Sequence, residues 1–246
     1  MFGLLYYLGN PFLTIFFSFL FSFILLEFET LSSTLEKKLK YLKMLLLQVI
    51  LFIFAITEIY NYEILPTHFT NFIFFLTVSI LTNLFFLTLR KNNLIKFILS
   101  NLIIFSFFSL ISILQKPNSL SIILYIVTLV SIMDIFAYLG GKLIGKNKII
   151  PKISKGKTIE GTFVGLFFII ITSFLIKDLM DYNVTYSIFY GLLVGILTFL
   201  GDLIESIFKR DVGVKDSGKL IPGHGGLLDR FDGYFLVIPF CYLSIN

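Results

Sequence analysis

Long apolar runs separated by short polar loops dominate this chain. A helix that crosses a bilayer needs about 20 mostly apolar residues. The sequence offers roughly eight such stretches, with ends good to a few residues. They fall near Leu4–Leu26, Met44–Tyr60, Thr70–Leu89, Leu94–Leu114, Leu120–Leu139, Gly161–Ile176, Ser187–Phe208 and Leu227–Ile245. Gly9-Asn10-Pro11 marks a break or a start within the first. The pattern predicts an all-α fold, a polytopic integral membrane protein with about eight transmembrane helices. One membrane domain is expected over residues 1–246, with no soluble appendage. Within it, residues 1–119 carry helices whose role is open, and residues 120–246 carry the unusual polar groups. Met1–Leu5 has no basic n-region and no small-residue cleavage site follows, so the first stretch reads as a retained helix.

Composition agrees. Hydrophobic residues make up 57% and charged residues 14% of 246 residues, and mean hydropathy is +0.94. Soluble domains carry about 25% charged residues, and a chain this apolar is not disordered. The net charge of +5 is too small and too scattered for a nucleic-acid binder. Cys241 is the single cysteine, which excludes an intramolecular disulfide and a multi-cysteine zinc site. His68 and His224 are too few for a histidine metal cage. The abundant Phe carries no functional weight, because an AT-rich genome also produces it.

The Lys/Arg distribution sets an orientation. Counted with the helix starts that follow them, where Lys96 and Arg230 lie, odd-numbered loops hold 18 of the 20 basic residues, and even-numbered loops hold only Lys116 and Lys177. The odd loops are therefore expected in the cytoplasm and both termini outside. The first loop also places Leu31, Leu35, Leu39 and Leu42 near helical spacing, which predicts an amphipathic helix on the membrane surface.

Charges within spanning segments are expensive and usually functional. Here they concentrate in the second half as Asp134, Asp202, Glu205, Asp229, Arg230 and Asp232, all toward the expected cytoplasmic ends. Asp202 and Glu205 are three apart, as are Asp229 and Asp232, so each pair shares a face of a regular helix. Carboxylates gathered this way repel unless neutralised. A divalent cation such as Mg²⁺, with hard oxygen ligands and substrate phosphates, does this. Asp202 and Asp229 read as ligands, and Glu205 as an ion-pair partner of Arg210. The seventh loop adds Lys209, Arg210, Lys215, Lys219 and Pro222-Gly223-His224-Gly225-Gly226. Glycines let backbone amides approach phosphate, and basic side chains add charge-assisted bonds. His224 reads equally as a turn-fixing residue or as a phosphate contact. Gly140-Gly141-Lys142-Leu143-Ile144-Gly145-Lys146-Asn147 nearly spells a P-loop, but Asn147 stands where Ser or Thr should be and a membrane helix precedes it. Its glycines are expected to end and turn a helix.

The stretch Ser206–Asp232 closely resembles the signature of the phosphatidate cytidylyltransferases, or CDP-diacylglycerol synthases. The matching positions are Ser206, Phe208, Lys209-Arg210, Lys215-Asp216, Gly218, Ile221-Pro222, His224-Gly225-Gly226 and Asp229-Arg230-Phe231-Asp232. Upstream, Asp134, Ala137-Tyr138, Gly140, Gly145 and Leu200-Gly201-Asp202 also resemble the family. The fifth loop departs from it. Where the family commonly has Ser-Pro-Lys-Lys-Thr, an aromatic residue and Glu-Gly, this chain has Ser154-Lys155-Gly156-Lys157-Thr158-Ile159-Glu160-Gly161. Its basic character is kept. The resemblance covers the second half by motif, and the first half only as hydrophobic helices.

The resemblance implies that CTP and phosphatidic acid give CDP-diacylglycerol and pyrophosphate with Mg²⁺. It allows for a second, monovalent cation such as K⁺ and for a homodimer. It implies metal binding by Asp202, Asp229 and Asp232, and catalytic roles for Lys209, Arg210, Lys215 and His224. Ser206, Asp134, Lys157, Lys219, Gly225 and Arg230 would contact substrate. The site would face the cytoplasm at the cell (inner) membrane, where a bilayer-held lipid meets a soluble nucleotide. Two other readings stay open. A CTP-using lipid kinase would release CDP instead of pyrophosphate. A cation transporter would move ions without CTP, although transport carboxylates usually lie nearer the midplane.

Overall fold

In the computed structural model, the residues described are 10–32, 93–154, 156–218 and 225–245. The expected spans Met44–Tyr60 and Thr70–Leu89, the amphipathic part of the first loop, and Lys219 and His224 lie outside them. Among the described residues the regular elements are helical. They are α1 (Asn10–Ser32), α2 (Asn93–Leu114), α3 (Ser119–Ile144), α4 (Ile159–Leu175), α5 (Val184–Asp211), α6 (Leu228–Phe231) and α7 (Tyr234–Ile245). A short 3-10 turn, Lys177–Leu179, follows α4. α1, α2, α3 and α5 are long and apolar enough to cross a membrane, while α4 and α7 are shorter apolar helices. The protein is thus membrane-embedded and built from helices, because only helices and closed barrels satisfy every backbone group in lipid.

The chain divides into two compact units. The first holds Met1–Pro117 together with Asp211–Phe231. In it α1 packs on α2. Buried Leu13, Phe17, Phe21, Ile24 and Phe28 recur three or four residues apart and form one stripe of α1. Ile103, Ile104, Phe107 and Ile111 answer from α2, and the Phe21 and Phe107 rings meet at 5.4 Å. Serines within these helices return their hydroxyls to their own backbone, as Ser18 does to Thr14 O at 2.7 Å and Ser106 to Leu102 O at 2.7 Å. Such bonds remove a polar group that lipid could not satisfy. Phe12, Phe19 and Phe23 lie exposed on the same helix, as expected of a chain that has lipid to face.

The second unit holds Asn118–Arg210 and Asp232–Asn246. Its helices touch through small residues, which is how apolar helices associate where burial from water offers little. A Cβ added at Gly161 would lie 2.5 Å from Ala137 O, and one at Gly165 would meet Met133 Sδ at 2.8 Å, so α4 runs hard against α3. One turn-pair further, Gly191 fits Ser173 and Gly195 fits Leu166 and Ile169, bringing α5 onto α4. The start of α3, the end of α4 and the start of α5 share an end of this unit. There Ser173 Oγ donates to Ser187 O at 2.6 Å and meets Tyr125 OH at 2.6 Å. The end of α3, the start of α4 and the end of α5 share the other.

Four expected spans match helices to within a few residues. The eighth does not. It was expected as one helix over Leu227–Ile245, but it breaks between Phe231 and Tyr234. The consequence corrects the expected pairing: Asp229 and Asp232 do not share the face of a regular helix, and they belong to different units. The physical cause is local. Asp232 turns its carboxylate onto Gly233 N at 2.7 Å, and its carbonyl is pressed against Gly201 of α5. The first span also differs. It starts at Asn10, as the Gly-Asn-Pro signal allows, but it continues past Leu26 through Glu27 and Glu29 to Ser32.

Candidate active site

The sequence between α3 and α4 folds back on itself. Gly145 closes α3 by donating to Gly141 O at 3.2 Å. Lys148 and Thr158 then form an isolated antiparallel bridge, with Ile149 N on Lys157 O at 3.1 Å and Ile159 N on Asn147 O at 2.9 Å. Thr158 caps α4 by accepting from Gly161 N at 3.1 Å. Glu160, in the first turn, accepts from Lys146 N at 3.1 Å and from the Asn147 side-chain amide at 2.8 Å. Those amides are therefore spoken for, which is the structural reason the near-P-loop is not a phosphate cradle. Backbone amides, its own first, hold the Glu160 carboxyl below its ordinary range. Gly156 stands in open space.

This turn delivers Lys157 to the end of α5. Its ammonium lies 2.9 Å from Asp202 Oδ2 and 5.4 Å from the centroid of the Phe199 ring. One turn on, Glu205 is fully buried and pairs with Lys209 at 2.6 Å. The expected partner of Glu205 was Arg210. Arg210 instead donates Nε to Ile153 O at 2.9 Å, tying the end of α5 to the α3–α4 turn. The i,i+4 spacing of Glu205 and Lys209 is the better-matched one on a helix. Ser206 Oγ reaches Asp202 Oδ1 at 3.3 Å.

Close packing then brings in a third acid. Because Gly201 has no side chain, the Asp232 backbone lies directly on α5. Asp202, Glu205 and Asp232 each present a carboxylate oxygen within 4.8 Å of the others. Three hard oxygens this close, with Lys157 and Lys209 beside them, fit a divalent cation of the Mg²⁺ type. Of the expected ligands this group holds Asp202 and Asp232, and it adds Glu205. Asp134, on α3 in the same unit, interacts electrostatically with Asp202, Lys157 and Asp232.

Asp229 belongs to the first unit, where backbone amides meet it. Its carboxylate accepts from Ser217 N at 2.9 Å and from Gly226 N at 2.9 Å. Gly225 next to it has φ 83°, a left-handed conformation that glycine adopts without cost. A Cβ there would also meet Asp229 Oδ2 at 2.7 Å. Lys215 and Arg230 are exposed. Glu27 was missed by the sequence reading. It is a buried acid of α1 whose carboxylate accepts from Leu228 N at 2.8 Å and Ser217 Oγ at 3.1 Å. The available signal was the absence of Gly and Pro from residue 12 to residue 65, which leaves α1 without a stop at Leu26.

In the first unit the end of α1 meets the seventh loop through Glu27 and Ser217, and in the second the end of α5 meets the fifth loop through Arg210 and Ile153.

The arrangement gathers three carboxylates and two lysines at one end of α5. A model of the cytidylyltransferase family matches residues 1–246, and the chain belongs to that family. A phosphatidate cytidylyltransferase of Staphylococcus aureus (strain COL) is 46% identical over 126 residues, which cover 50% of this chain and 48% of the relative. The phosphatidate cytidylyltransferase of Staphylococcus haemolyticus is 45% identical over 128 residues, covering 50% and 48%. An Escherichia coli (strain K12) protein, uncharacterized protein YnbB, is 46% identical over 126 residues, covering 51% and 42%. The chain spans about half the length of these curated relatives.

Proposed function

We propose that this chain transfers a cytidylyl group from CTP to phosphatidic acid, giving CDP-diacylglycerol and pyrophosphate at the cytoplasmic face of the cell membrane. The observation that carries the reading is the grouping of Asp202, Glu205 and Asp232 beside Lys157 and Lys209 in a chain of the cytidylyltransferase family. The names of the Staphylococcus relatives supply the lipid substrate.

In this reading a phosphate oxygen of phosphatidate attacks the α-phosphorus of CTP. The bond from that phosphorus to the oxygen bridging to the β-phosphate breaks, and pyrophosphate leaves. A phosphomonoester carries about −1.5 to −2 charge at pH 7, so the nucleophile needs no strong base. The barrier to overcome is repulsion between two polyanions and their misalignment. Charge placed in advance and held rigidly lowers both. Asp202, Glu205 and Asp232 would hold a divalent cation, which when bound supplies positive charge to phosphate oxygens. Lys157 and Lys209 pair with those acids and add positive charge at the same place. Arg210, by fixing Ile153, holds the α3–α4 turn that carries Lys157. The acyl chains stay in the bilayer, so the reacting phosphate is presented only at the interface.

The test is the fate of label. Protein in detergent with phosphatidic acid and Mg²⁺ should move α-labelled phosphate of CTP into lipid and γ-labelled phosphate into pyrophosphate. Transfer of the γ-label into lipid, with CDP released, would replace this reading with a lipid kinase.

A further inference from the structure

A buried carboxylate on an apolar helix demands a reason, because its desolvation is costly. Glu27 is such a group. It lies in a helix apolar enough to span a membrane and is only 5% exposed. It sits between two glycines: a Cβ at Gly218 would lie 2.6 Å from Oε1, and one at Gly226 would lie 2.5 Å from Oε2. Oε2 takes both donors, the Leu228 N–H at 2.8 Å and the Ser217 hydroxyl at 3.1 Å. Oε1 has no hydrogen-bond partner among the described residues.

The same two chain segments are also held by Asp229, through Ser217 N at 2.9 Å and Gly226 N at 2.9 Å. Ser217 thus gives its amide to one acid and its hydroxyl to the other. Gly226 and Leu228 give their amides, one to each. The two carboxylates form a double clamp that joins Ser217 to Gly226 and Leu228, beside the signature positions Lys215-Asp216, Gly218, Gly225 and Asp229-Arg230. One jaw is inside the signature. The other comes from the N-terminal half, where no motif was visible.

We propose that Glu27 is a positioning residue for the reaction: it acts as a neutral-tolerant hydrogen-bond acceptor that holds Ser217 and Leu228 in place, and does not itself touch substrate. The inference rests on the cytidylyl-transfer reading for its activity arm alone. Because a single oxygen accepts both bonds, a glutamine can replace the acid with its carbonyl in the place of Oε2, whereas an alanine cannot.

The experiment compares wild type, Glu27→Gln, Glu27→Ala and Ser217→Ala in detergent. It reads kcat/KM for CTP with phosphatidic acid and Mg²⁺, and amide hydrogen exchange of peptides covering residues 217–228. Glu27→Ala should lose about tenfold or more in kcat/KM, since small misplacements of binding groups have effects of that order or larger. Its 217–228 peptides should exchange faster than wild type while those of α2 and α5 stay unchanged. Glu27→Gln should stay within about threefold of wild type on both readouts, the scale of a near-isosteric change at one hydrogen bond. Equal losses in Gln and Ala would overturn the proposal, because they would require the charge itself. Wild-type exchange in the Ala variant would overturn it too. Where Glu27→Ala does not fold, Ser217→Ala removes one bond of the clamp, and exchange identical to wild type there would equally refute it. A wild type that makes no pyrophosphate would end the functional reading, and the exchange comparison would still decide the clamp.

Discussion

Gly201→Ala is the smallest change that reaches the carboxylate group without touching any of its charges. The added Cβ would point at the Asp232 carbonyl oxygen at less than the 3.0 Å that real Cβ atoms keep, with the carbonyl carbon and Gly233 Cα at 3.4 Å. The obstacle is backbone, so no rotamer change relieves it. The chain at Asp232 must withdraw from α5 by about half an ångström or more, and overpacking of this kind costs about 1–3 kcal/mol. Gly233 cannot absorb the shift freely, because Thr198 Cγ2 already lies 3.0 Å from where its own Cβ would be. The withdrawal carries the Asp232 carboxylate away from Asp202 and Glu205, which now gather within 4.8 Å. Displacements approaching 1 Å at such sites reduce rates by up to about 100-fold. The expected result is a folded protein with a modestly lowered thermal midpoint, kcat reduced about 10- to 100-fold and a raised Mg²⁺ requirement. Wild-type kcat and Mg²⁺ dependence in Gly201→Ala would show that the approach of Asp232 to α5 does not set the site.

Three further outcomes follow from named contacts. Lys157→Met removes the ammonium 2.9 Å from Asp202 while keeping an unbranched side chain. It should lower kcat/KM about 10-fold or more, read by pyrophosphate release, and have little effect on thermal stability, because partly exposed ion pairs contribute about 0–1 kcal/mol. Glu160→Gln replaces a carboxylate that accepts from Lys146 N and Asn147 N and Nδ2; protease cleavage between α3 and α4 should become faster, with α3 and α4 intact. Gly165→Leu drives a large side chain into Met133 and Ala137, where a Cβ alone would already come within 2.8 Å; the protein should fail to elute as a monodisperse species in detergent.

What the sequence made legible was set by local rules. The apolar runs located α2 to α5, since a membrane helix must satisfy its backbone within itself and its length follows from bilayer thickness. Long-range placement was not legible. Nothing local pairs Lys157 with Asp202, 45 residues away, or draws Asp232 onto Gly201. The regular-helix assumption put Asp229 and Asp232 on one face, and the break at Asp232-Gly233 undid it. Glu27 was overlooked because an acid after an apolar run resembles the start of a loop. Only its partners, Ser217 and Leu228, reveal it as an interior group. Glu205 was read as an ion-pair residue, which its contact with Lys209 supports, but its place beside Asp202 and Asp232 depends on the helix break as well.

If the Asp202–Glu205–Asp232 group carries cytidylyl transfer to a lipid phosphate, losing one of its carboxylates must cost both products. The most direct measurement is the yield of CDP-diacylglycerol and pyrophosphate from CTP and phosphatidic acid across a Mg²⁺ titration, for wild type and Asp232→Asn side by side. Wild type should give equal molar yields of the two products and none without divalent cation, and Asp232→Asn should lose both while its thermal midpoint without added cation stays unchanged. Wild-type yields from Asp232→Asn at the same Mg²⁺ concentration would refute the role of this group.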